Sequence, residues 1–593
     1  MTVEKLITDH IDIWSSALQT RSTAGRGSNG KIDLYGIKKL RELILELAVR
    51  GKLVPQDPND EPASELLKRI AAEKAELVKQ GKIKKQKPLP EISEDKKPFE
   101  LPEGWEWTKL GSICSKLTDG SHNPPKDSGS GYPMLSSQNI QNGFIDFENP
   151  SRYVCEDDFN KENGRTLVKK NDVLLTIVGS LGRSAVVNDN TQFVLQRSVA
   201  VLTSRLFPSY LSDYFKSRTA QLYFINNGKG TAQKGIYLGQ LSQMLIPVPS
   251  FDEQERIVSK LQKLMFLCDQ LEQQSLTSLD AHQQLVETLL ATLTDSKNAK
   301  ELSDNWSRIS LHFDTLLTTE ASIDALKQTI LQLAVMGKLV PQDPNDEPAS
   351  ELLKRIEQEK ALMVKNGKIK KQKPLPPISD EEKPFELPMG WECIRLGNLT
   401  SKMGSGSTPR GGKSSYVTSG IPFLRSQNVW NDGLRLDDVV YIDENTHSRM
   451  DGTKVFPGDV LLNITGASLG RTLIFPENIK EANVSQHVTI IRLLLGEFAP
   501  FVHLAIRSPI VQNLIWNRQV GMAIEGLSKK TLELFEFPIP PLSEQHRIVA
   551  KANGLFIICE QLKSRLQSAQ RTKLQLADAI TDAALIQGTD DVD

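Results

Sequence analysis

The chain has 593 residues, of which 39% are hydrophobic and 24% charged, and its formal net charge is −1. This length allows several domains with a core each, and the balanced charge leaves nucleic acid open as a partner, because phosphate binding needs local cationic faces rather than a basic total. The start, MTVEKLITDH, lacks the apolar stretch of a secretory signal, and no apolar run reaches the length of a membrane span. We therefore expect a cytoplasmic protein.

The five cysteines are odd in number and form no CxxC pair, so they predict neither a disulfide framework nor a zinc ribbon. We expect reduced thiols at Cys114, Cys155, Cys268, Cys393 and Cys559.

The N-terminal region predicts one short helix over 6–18, followed by a flexible Gly/Ser-rich linker at 25–30. An apolar stripe at steps of three and four then predicts a second helix, and the same stripe returns later in the chain. The two stripes are Ile37, Leu40, Ile44 and Leu47, and Ile323, Leu326, Ile330 and Leu333.

A repeat follows both of these helices. The twenty residues Gly51–Ile70, GKLVPQDPNDEPASELLKRI, recur without a change at Gly337–Ile356, and GKIKKQKPLP occurs at both 81–90 and 367–376. The second offset, 367 − 81 = 286, equals the first, 337 − 51 = 286. A repeat of this length indicates two equivalent modules rather than a solenoid of short units.

Each long repeat leads into a charged helix, predicted over Ala63 to about Lys79 and over Ala349 to about Lys365, and then into a lysine-bearing linker. This linker is either a phosphate-contacting strip or a solvated segment. Beyond it the two copies diverge, from Trp105 to about Pro249 and from Trp391 to about Pro541.

The diverged regions keep a common skeleton of short β-rich runs, such as Val173–Val178 and Val460–Ile464, separated by Gly, Asn and Ser turns. This pattern predicts an α+β domain in each half.

Both domains end in a Pro-x-Pro signal and a Glu-Gln-x-Arg-Ile-Val sequence that opens a long helix. Apolar residues then step by four and three, which is typical of a coiled-coil seam. The predicted seams are Ile257, Leu261, Leu264, Cys268 and Leu271, and Ile548, Ala552, Leu555, Cys559, Leu562, Leu566 and Ala569, continuing through Leu576 and Ile580.

The resulting architecture is an α+β, pseudo-two-fold chain in which two long antiparallel helices separate two globular domains. We expect the first long helix to meet the second copy of the stripe helix, with a loop near Ser296–Asp304 between them, and the first stripe helix to meet the C-terminal helix. A continuous helix over Ile548–Ala583 spans roughly 50 Å at about 1.5 Å per residue. The predicted segments are 1–104 (helices and repeated linker), 105–250 (domain 1), 251–390 (helical spacer and second linker), 391–541 (domain 2) and 542–593 (C-terminal helix).

The chain resembles the specificity subunit of a type I restriction-modification enzyme. The features that carry the resemblance are the paired variable domains, the helix openings at Glu253–Val258 and Glu544–Val549, the GTAQKGI stretch at Gly230–Ile236 and the Leu-Ala-Val-x-Gly-Lys-Leu helix ends. Domain 2 departs from domain 1 at Gly521–Leu527, where it reads GMAIEGL.

The resemblance implies two target recognition domains that each read one half of a bipartite, asymmetric DNA site. It implies that the helices set the spacer, and that the repeated regions dock two methyltransferase subunits and, through them, restriction subunits. This chain is then non-catalytic and binds no cofactor itself, while S-adenosylmethionine, ATP and magnesium belong to the partner subunits.

Candidate DNA contacts lie in polar, glycine-rich loops, because Arg and Lys suit guanine or phosphate whereas Asn and Gln suit adenine. Residues shared by both domains serve either the fold and the DNA backbone or base reading, and Arg183 and Arg471 favour phosphate. The candidates are Thr118, Asp119, His122, Lys126, Gln138, Asn139, Arg183, Lys229, Gln233, Lys234, Arg410, Lys413, Arg425, Gln427, Asn428 and Arg471.

Two sequences imitate enzyme motifs. Asn123–Lys126 reads NPPK, but an adenine methyltransferase needs a base-stacking aromatic at the fourth position, and Gly406–Ser414 reads GSTPRGGKS with five residues where a phosphate loop has four. The eight histidines show no metal-ligand spacing, and Cys268 and Cys559 fall on the seams as core residues. Two alternatives stay open, a self-contained DNA-modifying enzyme and a protein–protein scaffold with two binding modules.

Overall fold

The computed structural model describes residues 3–21, 31–230, 234–519 and 526–586. These residues form two compact units: one comprises the described residues up to Thr277 together with those from Gln570 onward, and the other comprises Ser278–Ala569. The predicted linker at 25–30 lies outside the described residues.

The chain begins with short elements and continues into a pair of longer helices. They are α1 (Val3–Asp9), α2 (Ile11–Ser16), β1 (Gln19–Arg21), β2 (Lys31–Asp33), α3 (Tyr35–Val49) and α4 (Ala63–Lys79). The single helix predicted over 6–18 is wrong, because a break at His10 lets the buried Trp14 turn back on α1, where its indole donates to the Leu6 carbonyl at 3.5 Å.

The described residues of domain 1 form nine strands and five helices. In chain order they are β3 (Glu106–Lys109), α5 (Leu110–Ile113), β4 (Cys114–Asp119), β5 (Tyr132–Leu135), β6 (Arg152–Val154), α6 (Glu156–Thr166), β7 (Val173–Thr176), β8 (Ser184–Val186), β9 (Val194–Leu195), β10 (Val199–Ser204), α7 (Pro208–Lys216), α8 (Arg218–Asn227), α9 (Leu238–Leu241) and β11 (Leu245–Val248). An antiparallel sheet of order β4-β10-β7-β8 is its centre, beside a three-stranded sheet β6-β5-β9 and the pair β11-β3.

Five helices follow domain 1. They are α10 (Phe251–Asp295), α11 (Ala299–Ser310), α12 (Phe313–Leu316), α13 (Glu320–Val335) and α14 (Ala349–Lys365). The loop predicted near Ser296–Asp304 is present but shorter: it spans 296–298, because α11 occupies the rest. The Asn298 side chain caps α11 at the Glu301 amide, and Leu302, Trp306 and Ile309 pack at helical spacing on the core of the second unit.

Domain 2 repeats the plan and is followed by the last helix. Its elements are β12 (Glu392–Arg395), β13 (Thr400–Ser405), β14 (Ile421–Leu424), β15 (Val429–Trp430), β16 (Gly433–Leu434), β17 (Val440–Ile442), α15 (Glu444–Arg449), β18 (Lys454–Val455), β19 (Val460–Asn463), β20 (Thr472–Ile474), β21 (Ala482–Val484), β22 (Val488–Leu493), α16 (Ala499–Ile506), α17 (Pro509–Asn517), α18 (Lys529–Glu533), β23 (Glu536–Ile539) and α19 (Leu542–Ile586).

The two central sheets correspond strand for strand, because the order β13-β22-β19-β20 in domain 2 matches β4-β10-β7-β8 in domain 1. Every residue of β7 and of β19 is buried. Each strand begins with Val-Leu-Leu and lies in the middle of a covered sheet, which explains why the sequence predicted a buried run at Val173 and at Val460.

Half of the fourteen predicted seam residues of the long helices are buried, most of them in α10. Ile257, Leu261, Leu264 and Cys268 of α10 are at most 3% exposed, and Ile548, Ala552 and Cys559 of α19 are at most 1% exposed. The prediction fails at Ala569, which is exposed, and at Leu576, which is 43% exposed while Ala577 is fully buried. A 3.6-residue helix drifts from a strict 3.5-residue repeat, and the face that contacts α3 here is the one with Ala577 and Asp578.

Both predicted helix contacts are present. In the first unit, Tyr35 of α3 donates to Asp578 of α19 at 2.7 Å, and the Lys52 ammonium donates to the Leu585 carbonyl at 3.2 Å. In the second unit, Lys338 is the counterpart of Lys52 and donates to the Thr294 carbonyl at the end of α10, at 2.6 Å.

The exact repeat has a structural role that is the same in each unit: it binds the start of a long helix. The Gln56 side chain donates a hydrogen bond to the Glu253 carboxylate at 2.7 Å, and the Asp60 carboxylate accepts one from the Arg256 guanidinium at 2.5 Å. The Trp105 indole donates to the other oxygen of Glu253 at 2.8 Å. We call this group of five side chains the clamp of domain 1.

The clamp of domain 2 has the same composition. Trp391 donates to Glu544 at 3.0 Å, Gln342 donates to Glu544 at 3.3 Å, and Arg547 donates to Asp346 at 2.6 Å. Two of its residues belong to the repeat and two to the Glu-Gln-x-Arg-Ile-Val sequence. The two repeats are identical in sequence, and each binds the same types of residue at the start of its long helix.

We predict that the clamp makes folding stability depend on pH. Burial raises the pKa of Glu253, with the hydrogen bonds from Trp105 and Gln56 opposing the rise. The folded chain then binds more protons than the unfolded chain above the usual glutamate pKa of about 4.3, so this carboxyl destabilises the folded state near pH 7 and does so less as the pH falls. The measurement is the melting temperature of the wild type minus that of Glu253→Gln. This difference should increase by about 1–3 °C when the pH is lowered from 7 to 5.

The control is Glu255→Gln, which removes an exposed carboxylate from the same helical turn. Its melting-temperature difference from the wild type should stay constant over that range. A constant difference for Glu253→Gln as well would contradict the prediction.

Candidate nucleic-acid interface

One edge of each central sheet collects most of the candidate residues. In domain 1, β4 ends at Asp119 and β7 ends at Thr176, and these residues pair with Ala200 and Val199 at the start of β10. The loops 120–131, 177–183 and 196–198 leave the sheet here, and we call this the recognition edge of domain 1. The corresponding edge of domain 2 carries the loops 406–416, 464–471 and 485–487.

A glycine lets the first loop leave each recognition edge. Gly120 and Gly406 lie so close to a neighbouring strand that a Cβ atom would collide with the backbone of Leu195 and of Val484, respectively. No other residue fits without moving that strand. The loops that carry His122, Lys126, Arg410 and Lys413 therefore start from equivalent points.

The first loop of domain 1 is held by an ion pair and a hydrogen bond to Asp119. The Asp119 carboxylate is largely buried. It accepts a hydrogen bond from the Arg165 guanidinium at 2.8 Å and contacts the His122 ring at 2.9 Å. Thr118 is a half-buried member of β4, paired with Val201. Asp119 and Thr118 thus support the loop, whereas His122 and Lys126 are exposed on it.

The loop after β5 contains the shared pair Gln138 and Asn139, which differ in exposure. Asn139 is 1% exposed; its side chain accepts from the Ser136 amide at 3.0 Å and donates to the Asn149 carbonyl at 2.7 Å. We therefore remove Asn139 from the candidate contacts, because its polar atoms are occupied within the loop. Gln138 is exposed at the edge.

Domain 2 repeats this arrangement around an aspartate. The fully buried Asn428 accepts from the Arg425 amide at 2.9 Å and donates to Asp438 at 2.9 Å. Gln427 also donates to Asp438, and the Arg425 guanidinium donates to the Asp438 carbonyl at 2.5 Å. Asn428 is likewise removed, and Arg425 and Gln427 are partly occupied by Asp438.

The second loop of domain 1, 177–183, lies next to the residues that carry three of the candidates. The Arg183 guanidinium donates to the Gln141 side chain at 3.1 Å, and the Lys234 carbonyl accepts from the Gly179 amide at 2.9 Å. Lys229 pairs with Gly235 through two backbone hydrogen bonds of 2.8 Å. The side chains of Lys229 and Lys234 are exposed. Residues 231–233 of the GTAQKGI stretch, which include Gln233, and residues 521–525 of the GMAIEGL stretch lie outside the described residues.

The equivalent loops of domain 2 display other cations. Arg410 and Lys413 are exposed in the loop after β13. The Arg471 guanidinium carbon lies 3.6 Å from the ring centroid of Trp430, within stacking distance. The two recognition edges therefore share a backbone plan and differ in the side chains that they expose.

Four residues of this edge were missed by sequence reasoning: Gln141, Trp430, Asp438 and Arg165. The first two follow bridged residues in short hairpins, Ile140 with Ile145 and Val429 with Leu434. The turn sequences QNG and NDG gave a signal for these hairpins. Nothing in the local sequence connects Asp438 or Arg165 with the loops that they hold.

Three of the five cysteines, Cys114, Cys268 and Cys559, are buried. Burial raises the pKa of Cys268 to about 11 and that of the fully buried Cys114 to about 12. Such thiols remain protonated at neutral pH, whereas a nucleophilic cysteine needs a lowered pKa. Within the described ranges, no three His, Cys, Asp or Glu side chains are grouped to hold a metal ion. Among those same residues, no helix has the length and apolar character needed to cross a membrane.

Comparison with known proteins identifies the repeated unit. The sequence profile of the type I restriction modification DNA specificity domain matches residues 102–281 and 388–567. The chain belongs to the type I restriction-modification DNA specificity family. Each match contains one domain, its recognition edge and the start of the long helix that follows.

Two relatives of this specificity family align with nearly the whole chain. The type I restriction enzyme EcoAI specificity subunit of Escherichia coli is 50% identical over 99% of this chain and 100% of its own length. The EcoEI specificity subunit of Escherichia coli is 49% identical over the same shares. Members of the family recognise DNA and leave catalysis to other subunits.

A solved chain from work on complex assembly and conformational transition of the type I R-M system aligns at 18% identity, covering 82% of this chain and 99% of that one, with a TM-score of 0.47.

We predict that Asn139 supports folding rather than DNA reading. Asn139→Ala should lower the free energy of unfolding by about 1–3 kcal/mol, because it leaves buried hydrogen-bonding groups of the loop without a partner. Thermal or denaturant unfolding of the purified chain measures this loss. The exposed neighbour Gln138→Ala is the matched control and should unfold like the wild type. Unchanged stability with a loss of DNA affinity in Asn139→Ala would show that Asn139 reads bases.

Proposed function

We propose that this chain is the cytoplasmic specificity subunit of a type I restriction-modification complex and that it reads a bipartite, asymmetric DNA site. One observation carries the proposal: the same sheet, loop starts and clamp occur twice, while the exposed side chains of the two recognition edges differ. Two copies of one scaffold with different edges suit two different half-sites, because each base pair offers its own pattern of donors and acceptors in the major groove.

The difference between the edges is chemical. Domain 1 exposes His122, Lys126, Lys229 and Lys234 at its edge. Domain 2 exposes Arg410 and Lys413 in the loop equivalent to that of His122 and Lys126. Lysine offers a compact charge and arginine a planar fork of donors. The proposed half-sites therefore differ in sequence and in the contacts that hold them.

The parts that do not diverge are proposed to bind the same partner twice. The repeats at 51–70 and 337–356 and the two clamps are alike in both units. In this proposal, the parts that are alike in the two units dock two methyltransferase subunits and, through them, restriction subunits. In this proposal S-adenosylmethionine, ATP and magnesium bind to the partners, and this chain contributes recognition alone.

A domain exchange tests the division of labour. Residues 391–541 are replaced by the corresponding domain of a relative, and the chimaera is produced with its methyltransferase subunits in cells whose methylome is then mapped. We expect a gapped adenine motif in which only the half-site read by domain 2 changes. The spacer should remain, because the long helices are untouched.

The matched control exchanges residues 105–250 and should change only the other half of the motif. Alteration of both halves by one exchange, or of neither, would contradict the proposal. So would methylation of DNA by the purified chain in the absence of its partners.

A further inference from the structure

Arg183 and Arg471 occupy the same place on the two recognition edges. The Arg183 carbonyl accepts from the amide of Thr176, the last residue of β7, at 2.8 Å. The Arg471 carbonyl accepts from the amide of Asn463, the last residue of β19, also at 2.8 Å. The backbone therefore directs both side chains from equivalent points.

The glycine before each arginine fixes this geometry further. Gly182 and Gly470 have φ angles of +83° and +85°, which other residues rarely adopt. A glutamine from the following helical pair holds each glycine carbonyl, Gln221 at 3.1 Å and Gln512 at 2.9 Å. The two domains therefore preserve the position of one arginine while the loops around it diverge.

The neighbours of the two guanidinium groups differ. Arg183 donates one N–H to Gln141 at 3.1 Å. Arg471 instead stacks on Trp430, with its guanidinium carbon 3.6 Å from the ring centroid. The indole itself is held by a hydrogen bond of 2.7 Å to the Gln427 carbonyl. Gln141 and Trp430 follow the equivalent hairpin residues Ile140 and Val429.

The two arginine side chains differ in how many of their hydrogen-bond donors are free. A stacked guanidinium keeps all five N–H donors free in its plane, while its orientation is restricted by the ring. Among the described residues, no group accepts a hydrogen bond from the Arg471 side chain. Burial lowers the pKa of Arg471, and nearby Asp432 opposes this; the group stays charged at neutral pH.

We propose, on the basis of the proposed function, that Arg471 is a preoriented phosphate-binding residue of the second half-site and that Trp430 is its positioning residue. The ligand is a phosphate of the DNA backbone, because a residue preserved at one place in two diverged domains suits the feature that both half-sites share. The planar fork of the guanidinium matches two phosphate oxygens. Arg183 makes the corresponding contact in domain 1, with one donor already engaged by Gln141.

The test uses the full chain co-purified with its methyltransferase subunits. Fluorescence anisotropy measures binding to a duplex with the methylome-defined site and to a scrambled duplex of equal length, between 50 and 200 mM KCl. Wild-type binding to the site establishes the proposed function separately; its absence would refute that function before any variant is considered. All variants are first matched to the wild type by thermal unfolding.

For Arg471→Gln we expect about a 10-fold loss of affinity, of equal size on both duplexes, and a slope of log affinity against log salt that is less steep by about 0.9. Arg435→Gln is the matched control, because Arg435 also lies near Trp430, at 5.0 Å, but is paired with Asp432 at 2.6 Å. Its salt slope should stay within about 0.3 of the wild type. A loss confined to the site-bearing duplex would make Arg471 a base reader and overturn the proposal, as would an equal slope change in the control.

Trp430→Gln, which installs the side chain found in domain 1, should weaken binding about 3-fold on both duplexes through the cost of ordering the freed arginine. Trp430→Phe keeps an aromatic face and should stay within about 2-fold of the wild type. Equal affinities for wild type and Trp430→Gln, or equal losses for the Gln and Phe variants, would overturn the positioning role of Trp430.

Discussion

Each half of this protein depends on a buried carboxylate at the start of a long helix. Glu253 and Glu544 are almost fully buried, and each accepts from the indole of the tryptophan at the entry of its domain. A buried charge is costly unless it is hydrogen-bonded, so the tryptophan and the repeat must be in place for the helix to begin there. The residues at the start and at the end of each domain are thereby held together by the clamp.

This constraint separates what the protein keeps from what it varies. The clamp residues come from three distant stretches of each half, so changing any one of them leaves a buried polar group without its partner. The loops of the recognition edges carry fewer such obligations, chiefly their glycine starts and the glycines before Arg183 and Arg471. A chain built in this way keeps its scaffold and changes its target through a few exposed side chains.

The cations of the two edges are not equivalent in availability. Arg425 is engaged by Asp438 and Arg183 by Gln141, whereas Arg471 rests on an aromatic ring that accepts none of its hydrogen bonds. A count of basic residues would treat these three arginines alike. Their partners determine how many donors each has left for DNA, and thus how the two half-sites are held.

The sequence by itself determined the duplication, the bounds of α4 and α14, the buried runs of β7 and β19 and the family. Those features are written in exact repeats and in local periodicity. Tertiary structure alone decided that Asn139 and Asn428 are buried and that Leu576 faces outward. It also placed Arg471, 41 residues further along the chain, on Trp430. The physical reason is that these outcomes depend on contacts between residues far apart in the chain, which no local pattern encodes.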